Sequence, residues 1–201
     1  MSKSVFDLNN QNQDLASKIT VGLQRISEVF KVLLWEKAKH HGLSPIQIQI
    51  LIFVANHKAD YCNVSYLAKE FNVTKPTISD AVRVLDKKGL ITKDFSSEDS
   101  RRYTIFLSED GKLMVKDTEQ FISPLKHQLK QLQDSEQEAL FISISTLIDK
   151  LNSVGVLTVQ RTCFKCKFYE NKGESHYCNL LKKSLTSSTI RIDCAEFESA
   201  T

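Results

Sequence analysis

From Leu15 onward, apolar residues recur at three- and four-residue steps: Ile19, Leu23, Ile26, Phe30, Leu33 and Leu34 line one stripe. That spacing predicts a long amphipathic helix ending at Gly42. Ser44 then reads as an N-cap, with Pro45 in the first helical position of a strongly apolar second helix over residues 46–56. A short third helix covers residues 64–71. A fourth begins at its cap Thr74, holds Pro76 in its first turn and runs to Lys88 before Gly89. The period then changes. Residues 90–95 and 103–107 read as short strands around the polar run Ser96-Ser97-Glu98-Asp99-Ser100, a β-hairpin. Ser108 caps a further helix carrying Leu113, Met114, Val115, Phe121, Leu125, Leu129 and Leu132, kinked at Pro124. Asp134-Ser135 opens the last helix, with Ser135 and Glu138 at capping-box spacing, and it stops near Gly155.

Short helix, turn, helix and hairpin is the order of a winged helix-turn-helix. The expected fold is mainly α with a β-hairpin wing and long dimerisation helices over residues 1–156. Residues 157–201 lack long periodicity and read as a small separate module. The 201 residues include three prolines and six glycines, mostly where helices start or stop, which agrees with a largely helical chain. The net charge of +3 is too small to argue for nucleic acid by itself, so the distribution of charge must carry that case. No run approaches the ~18 apolar residues of a membrane span. The polar N-terminus has no leader pattern, so a cytoplasmic protein without membrane contact is expected.

The fourth helix places Lys75, Thr77, Ser79 and Arg83 on one face and Ile78, Ala81, Val82 and Leu85 on the other. Small hydroxyls let a backbone approach DNA, and the basic groups reach base edges or phosphates in a major groove. Arg101 and Arg102 beside the hairpin loop suit a minor groove, where the potential is most negative. Two runs, Val64-Ser-Tyr-Leu-Ala-Lys-Glu-Phe-Asn-Val-Thr-Lys-Pro-Thr-Ile-Ser79 and Val84-Leu-Asp-Lys-Lys-Gly-Leu-Ile91, resemble the multiple-antibiotic-resistance regulator (MarR) family. So do Asp99-Ser100-Arg101 and Leu107-Ser108-Glu109-Asp110-Gly111. The resemblance covers residues 15–154. It implies a homodimer on a pseudo-palindromic operator in double-stranded DNA, dimerising through the first helix and the last two of that region. It places Ser65, Lys75, Thr77, Ser79 and Arg83 at DNA, with Asp99 bracing Arg101 in the wing. Asp80 departs from the family, many of whose members carry a basic residue there; an aspartate repels phosphate or accepts from a cytosine N4.

Of the five cysteines, Cys62 stands alone and reads as a small buried side chain rather than a sensor thiol. The other four follow Cys163-x2-Cys166-x11-Cys178-x15-Cys194. Four thiolates close a tetrahedral zinc site or hold a [4Fe–4S] cluster. A zinc ribbon ordinarily brings a second Cys-x-x-Cys, which is missing here. One close pair followed by two single cysteines is similar to high-potential iron–sulfur proteins and to small cluster-bearing subunits of some glycyl-radical enzymes. Phe164, Phe168, Tyr169, Tyr177, Leu180, Leu181, Ile190, Ile192 and Phe197 can form an apolar shell. The cluster is the first expectation, zinc the second, and free or redox-switched thiols the third. His176 reads as a neighbour of the site rather than a ligand.

The expected function is a dimeric DNA-binding transcriptional regulator, first of all a repressor, whose tail senses redox state, iron or a reactive gas. The alternatives are a winged-helix regulator with purely structural zinc that answers a small ligand, and a cluster-bearing electron-transfer or enzyme-associated protein. No nucleophile–base pair, phosphate loop or dinucleotide fingerprint stands out, so no enzyme is expected.

Overall fold

A computed structural model describes residues 4–96, 103–173 and 175–200. Eight helices and two small sheets follow one another: α1 Leu8–Gln13, α2 Leu15–His40, α3 Pro45–Asn56, α4 Val64–Glu70, α5 Lys75–Lys87, β1 Ile91–Asp94, β2 Thr104–Leu107, α6 Glu109–Thr118, α7 Ser123–Leu129, α8 Asp134–Ser153, β3 Tyr169–Lys172, β4 Ser175–Cys178 and β5 Lys183–Leu185. No described helix is long and apolar enough to cross a membrane.

The caps expected from sequence are in place. The Ser44 N–H donates to Gln47 Oε1 and so closes the start of α3. Thr74 Oγ1 accepts the Thr77 N–H at α5, and Ser108 Oγ accepts the Gly111 N–H at α6. Each satisfies an N–H that the helix itself cannot. The core gathers around α3, where Ile48, Ile50, Leu51 and Phe53 are all buried. From α4 and α5 it receives Leu67, Ile78, Val82 and Leu85, and from β2 Ile105. Burying side chains of this size contributes about 1.5–3 kcal/mol each. The wing is antiparallel, with Ile91 opposite Leu107 and Asp94 opposite Thr104. Its inner edge is anchored by the Ile105 N–H donating to Cys62 O at 2.8 Å.

The polar segment before Leu15, to which the hydrophobic pattern assigns no element, contains α1. Two expectations need correction. The helix expected to bend at Pro124 is two helices, α6 and α7, joined by a 3₁₀ turn over Glu119–Ile122; Pro124 sits in the first turn of α7, where its missing N–H costs nothing. The α8 cap is Gln133, whose N–H donates to Glu136 Oε2, so the reciprocal pair lies two residues before Ser135 and Glu138. In the tail, residues 181–192 hold β5 and then a 3₁₀ turn at Ser187–Thr189. Asn171 and Lys172, which could have formed a turn, instead end β3, and the chain turns at Gly173, φ 76°, before β4.

On α2 the stripe Leu15, Ile19, Leu23, Ile26 and Phe30 faces outward, each residue more than 40% exposed in the single chain. Leu140 and Leu147 of α8 are exposed as well.

Two predictions follow from this packing. Gly111 lies so close to the wing base that an added Cβ would stand 1.9 Å from Leu90 O. Gly111→Ala therefore forces a backbone shift and should lower unfolding stability by about 1–3 kcal/mol, seen as a reduced denaturant midpoint at unchanged slope. The second concerns Cys62, which is 1% exposed and whose thiol burial pushes up to about 11. With almost no thiolate at pH 8, it should be the last of the five cysteines alkylated by iodoacetamide in native, metal-free protein. Peptide mass spectrometry reads the order.

Candidate DNA-reading face and cysteine cavity

The α4–α5 pair is set by its connecting turn. Asn72 takes the left-handed conformation at φ 52°, which a short polar side chain tolerates. The Val73 N–H then donates back to Ala68 O at 2.9 Å. On α5, Ile78, Ala81, Val82 and Leu85 are buried, and the opposite face leaves Lys75, Thr77, Ser79 and Arg83 exposed, with Ser65 exposed at the start of α4. The residues assigned to DNA on these two helices thus share one outer surface. Arg101, Arg102 and Asp99 lie outside the described residues.

Asp80 bonds within this face. Its Oδ1 accepts from Arg83 Nη2 at 2.7 Å, one helical turn away. Both side chains are about two-thirds exposed, and an exposed pair of this kind is weak. Asp80 therefore aims Arg83 without locking it, and the guanidinium can exchange the carboxylate for a base or phosphate at little cost. Thr77 is partly engaged too, its hydroxyl 2.8 Å from that of Thr74 at the helix cap.

The tail forms a three-stranded meander in the order β3-β4-β5. Tyr169 pairs with Cys178, so one strand pairing delivers the third cysteine beside the first two. Cys163 and Cys166 bracket a tight turn closed by the Cys166 N–H donating to Cys163 O at 3.0 Å. The Cys194 N–H donates to Arg161 O, and the Cys163 N–H to Arg191 O. Two distant segments are thereby laid side by side. Cys163, Cys166, Cys178 and Cys194 all line one cavity of about 230 Å³, closed by Phe168, Tyr169, Leu180, Leu181, Leu185 and Arg191 among others. Of the expected shell, Phe164 and Ile190 lie behind the cavity and pack with Cys163 in the tail's own small core. His176 does not line it; its Nδ1 lies 2.6 Å from Tyr169 Oη.

The sulfurs surround a space instead of meeting at a point. Among the described residues no group of three His, Cys, Asp or Glu is arranged to hold a single metal ion. A lone tetrahedral zinc draws its four sulfurs to about 3.8 Å from one another. Burial pushes the Cys163 thiol up, the Arg191 N–H opposes that, and the other three cysteines add to the rise. Four thiolates here repel one another unless a cation sits among them. The Arg191 guanidinium supplies part of that charge, its Nη1 donating to Cys194 Sγ at 3.5 Å, while the Arg191 backbone N–H donates to Cys163 Sγ at 3.2 Å.

What sequence reading missed is the junction between tail and reading head. Arg161 is 6% exposed. Its Nε and Nη2 donate to the two Asp193 oxygens at 2.6 and 2.8 Å. Nη1 and Nη2 donate to Glu70 at 2.7 and 3.1 Å, and Nη1 to Tyr66 Oη at 2.8 Å. Phe53, Tyr61 and Tyr66 stack around the guanidinium. Burial opposes the arginine's charge, but the hydrogen bonds to Asp193, Glu70 and Tyr66 outweigh it and hold the pKa above its ordinary value. Arg161 in turn holds the Asp193 carboxyl below the usual carboxylate range. Asp193 also meets His57 Nε2 at 2.9 Å, and Thr158 Oγ1 donates to Lys69 O at 2.7 Å. The other side of the tail reaches α8 through Phe141, which packs on Cys163 and Ile190, and through Lys165, whose Nζ donates to Ser153 Oγ. The tail has its own sheet and core, yet it is docked on both α4 and α8. The one sequence signal for this was Asp193, a charge immediately before the ligand candidate Cys194.

Residues 41–102 match the MarR family model, a family of DNA-binding regulators and not of enzymes. The HTH-type transcriptional repressor YetL of Bacillus subtilis is 28% identical over 115 residues, 55% of this chain and 67% of its own length. Among solved structures, S. aureus MepR in a complex with DNA is similar with a TM-score of 0.58 at 24% identity, over 66% of this chain and 97% of its own. A MarR transcriptional regulator from Methanosarcina mazei Go1 gives 0.57 at 19% identity, over 67% and 98%. At these identities the likeness to the solved structures is one of fold. Residues 41–102 thus match the MarR family model, and the fold around them is a winged helix-turn-helix similar to that of these structures.

Proposed function

We propose that the protein is a homodimeric transcriptional repressor that binds a pseudo-palindromic site in double-stranded DNA, and that Cys163, Cys166, Cys178 and Cys194 hold a [4Fe–4S] cluster. The observation that carries the first part is the outer face of α5, where Lys75, Thr77, Ser79 and Arg83 stand exposed above a buried apolar face. Such a helix enters a major groove with its side chains toward base edges. The relatives named as a repressor and as a DNA complex support the same reading. The wing arginines, Arg101 and Arg102, are assigned to the minor groove on sequence alone.

Dimerisation is supported by the exposed stripe of α2. An apolar band of that length on a globular chain calls for cover, and a second copy related by a two-fold axis covers it while setting two reading heads on one operator.

The cysteine assignment is supported by a cavity that is roomy for one ion, about 230 Å³ against the roughly 10–15 Å³ that admits a water. When bound, a cluster supplies a centre whose stability answers to redox state, iron supply and reactive gases. The chain's own residues do the rest. Phe168, Leu180, Leu181 and Leu185 give the cavity an apolar wall beside the sulfurs, and the Arg191 backbone N–H and Nη1 steady two of them.

Arg83→Ala should weaken DNA binding about tenfold or more, the worth of one base-edge contact, and should relax sequence preference, as read by anisotropy on selected and randomised duplexes. Wild-type affinity in that variant would overturn the α5 assignment. After anaerobic purification, iron and sulfide should be present in a cluster's ratio. Replacing any one of the four tail cysteines with Ser should remove most of it, whereas Cys62→Ser should retain it. Stoichiometric zinc without iron would replace the cluster with a zinc site on the same four ligands.

A further inference from the structure

We propose that Arg161 is the link through which occupancy of the cysteine cavity sets the position of α4, and with it the DNA affinity of the reading head. This rests on the reading that the four cysteines hold a metal centre and that α4 and α5 bind DNA.

A guanidinium has five N–H groups. In Arg161 Nε and Nη2 meet Asp193, Nη1 and Nη2 meet Glu70, and Nη1 meets Tyr66. All five donors are taken, and the side chain is buried. A shift of Asp193, 45% exposed beside a cavity that Arg161 also lines, hands its donors to water or to His57 Nε2, 3.3 Å from Nη2, whereas a shift of Glu70, 20% exposed, leaves a charged donor poorly paired.

The two carboxylates belong to the two parts of the molecule. Asp193 precedes the ligand Cys194 in the chain. The Cys194 N–H also donates to Arg161 O. The loop that carries the fourth sulfur is thus fastened to Arg161 through both backbone and side chain. Glu70 is the last residue of α4, two positions before the left-handed Asn72 that turns the chain toward α5. Tyr66 lies one turn earlier on the same helix. What Arg161 grips on this side is the helix that orients α5.

A centre among the four sulfurs fixes Cys194 and, through Asp193, presents Arg161 to Glu70. Without a centre in the cavity, the Cys194 loop keeps its backbone hydrogen bond to Arg161 and the Lys58–Glu196 ion pair but loses its anchor at the sulfur. Asp193 then has a second range of positions, and Arg161 must follow it or stay with Glu70. The two states of the tail thereby differ in free energy according to where α4 sits, which is the requirement for coupling between two sites. The attachment of the same tail to α8 through Phe141 and Lys165 gives this movement a fixed base.

The test compares metal-loaded and chelator-stripped protein, prepared without air, on a fluorescent duplex selected from a random pool by loaded wild type. Iron, sulfide and zinc are measured on every sample. Loaded wild type should bind about fivefold or more tighter than stripped. Glu70→Gln is remote from the cysteines and nearly isosteric. Arg161→Lys keeps the charge with three donors instead of five. Both should retain the wild-type metal content and bring the loaded and stripped forms to nearly equal affinity. A Glu70→Gln protein with full metal and an undiminished gap overturns the proposal, as does a wild type whose affinity ignores its metal while the four-cysteine reading stands. A wild type that takes up no iron or zinc removes the cysteine reading itself, and the proposal falls with it.

Discussion

A guanidinium withdrawn from water must find a partner for every N–H it carries, and at Arg161 those partners come from both ends of the chain. Glu70 and Tyr66 lie 91 and 95 residues before it and Asp193 lies 32 after it. The tail's own core is small, and its docking combines this contact with the packing of Phe141 of α8 on Cys163 and Ile190. An ion group of this kind adds little net stability compared with a packed apolar contact, because its desolvation offsets its attraction. It specifies one arrangement through geometry, because the five donors of one guanidinium meet Asp193, Glu70 and Tyr66 together only when tail and α4 stand in this register. The rigid winged helix and the cysteine cavity are each built from local rules, and Arg161 relates one to the other.

The winged helix was legible because its signals are local. Ser44, Thr74 and Ser108 cap the helices they were expected to cap, and the alternating burial of α5 follows from 3.6-residue spacing alone. The errors fall where neighbouring solutions differ by one turn. Gln133 and Glu136 compete with Ser135 and Glu138 for the same role, and the sequence contains both. The break between α6 and α7 is a 3₁₀ turn in front of Pro124, where a kinked continuous helix satisfies almost the same hydrogen bonds.

In the tail, the four cysteines were recognisable as a set from number and spacing, and the geometry brings all four to one cavity. The junction was invisible for a physical reason. Arg161 reads as one more basic residue in a chain with 27 lysines and arginines, and its place is set by partners far away in sequence. Asp80 is a middle case. Its departure from the family pattern was visible, but its 2.7 Å contact with Arg83 turns it from a repulsive group on the reading face into one that orients the arginine.

The central claim is that tail and reading head are one coupled unit. Hydrogen exchange of the α4 amides, Val64–Glu70, measured on loaded and stripped protein without DNA, addresses it most directly. If Arg161 couples the two parts, stripping the metal raises exchange in α4 together with exchange in residues 157–200. Faster exchange in the tail with α4 unchanged would contradict the account.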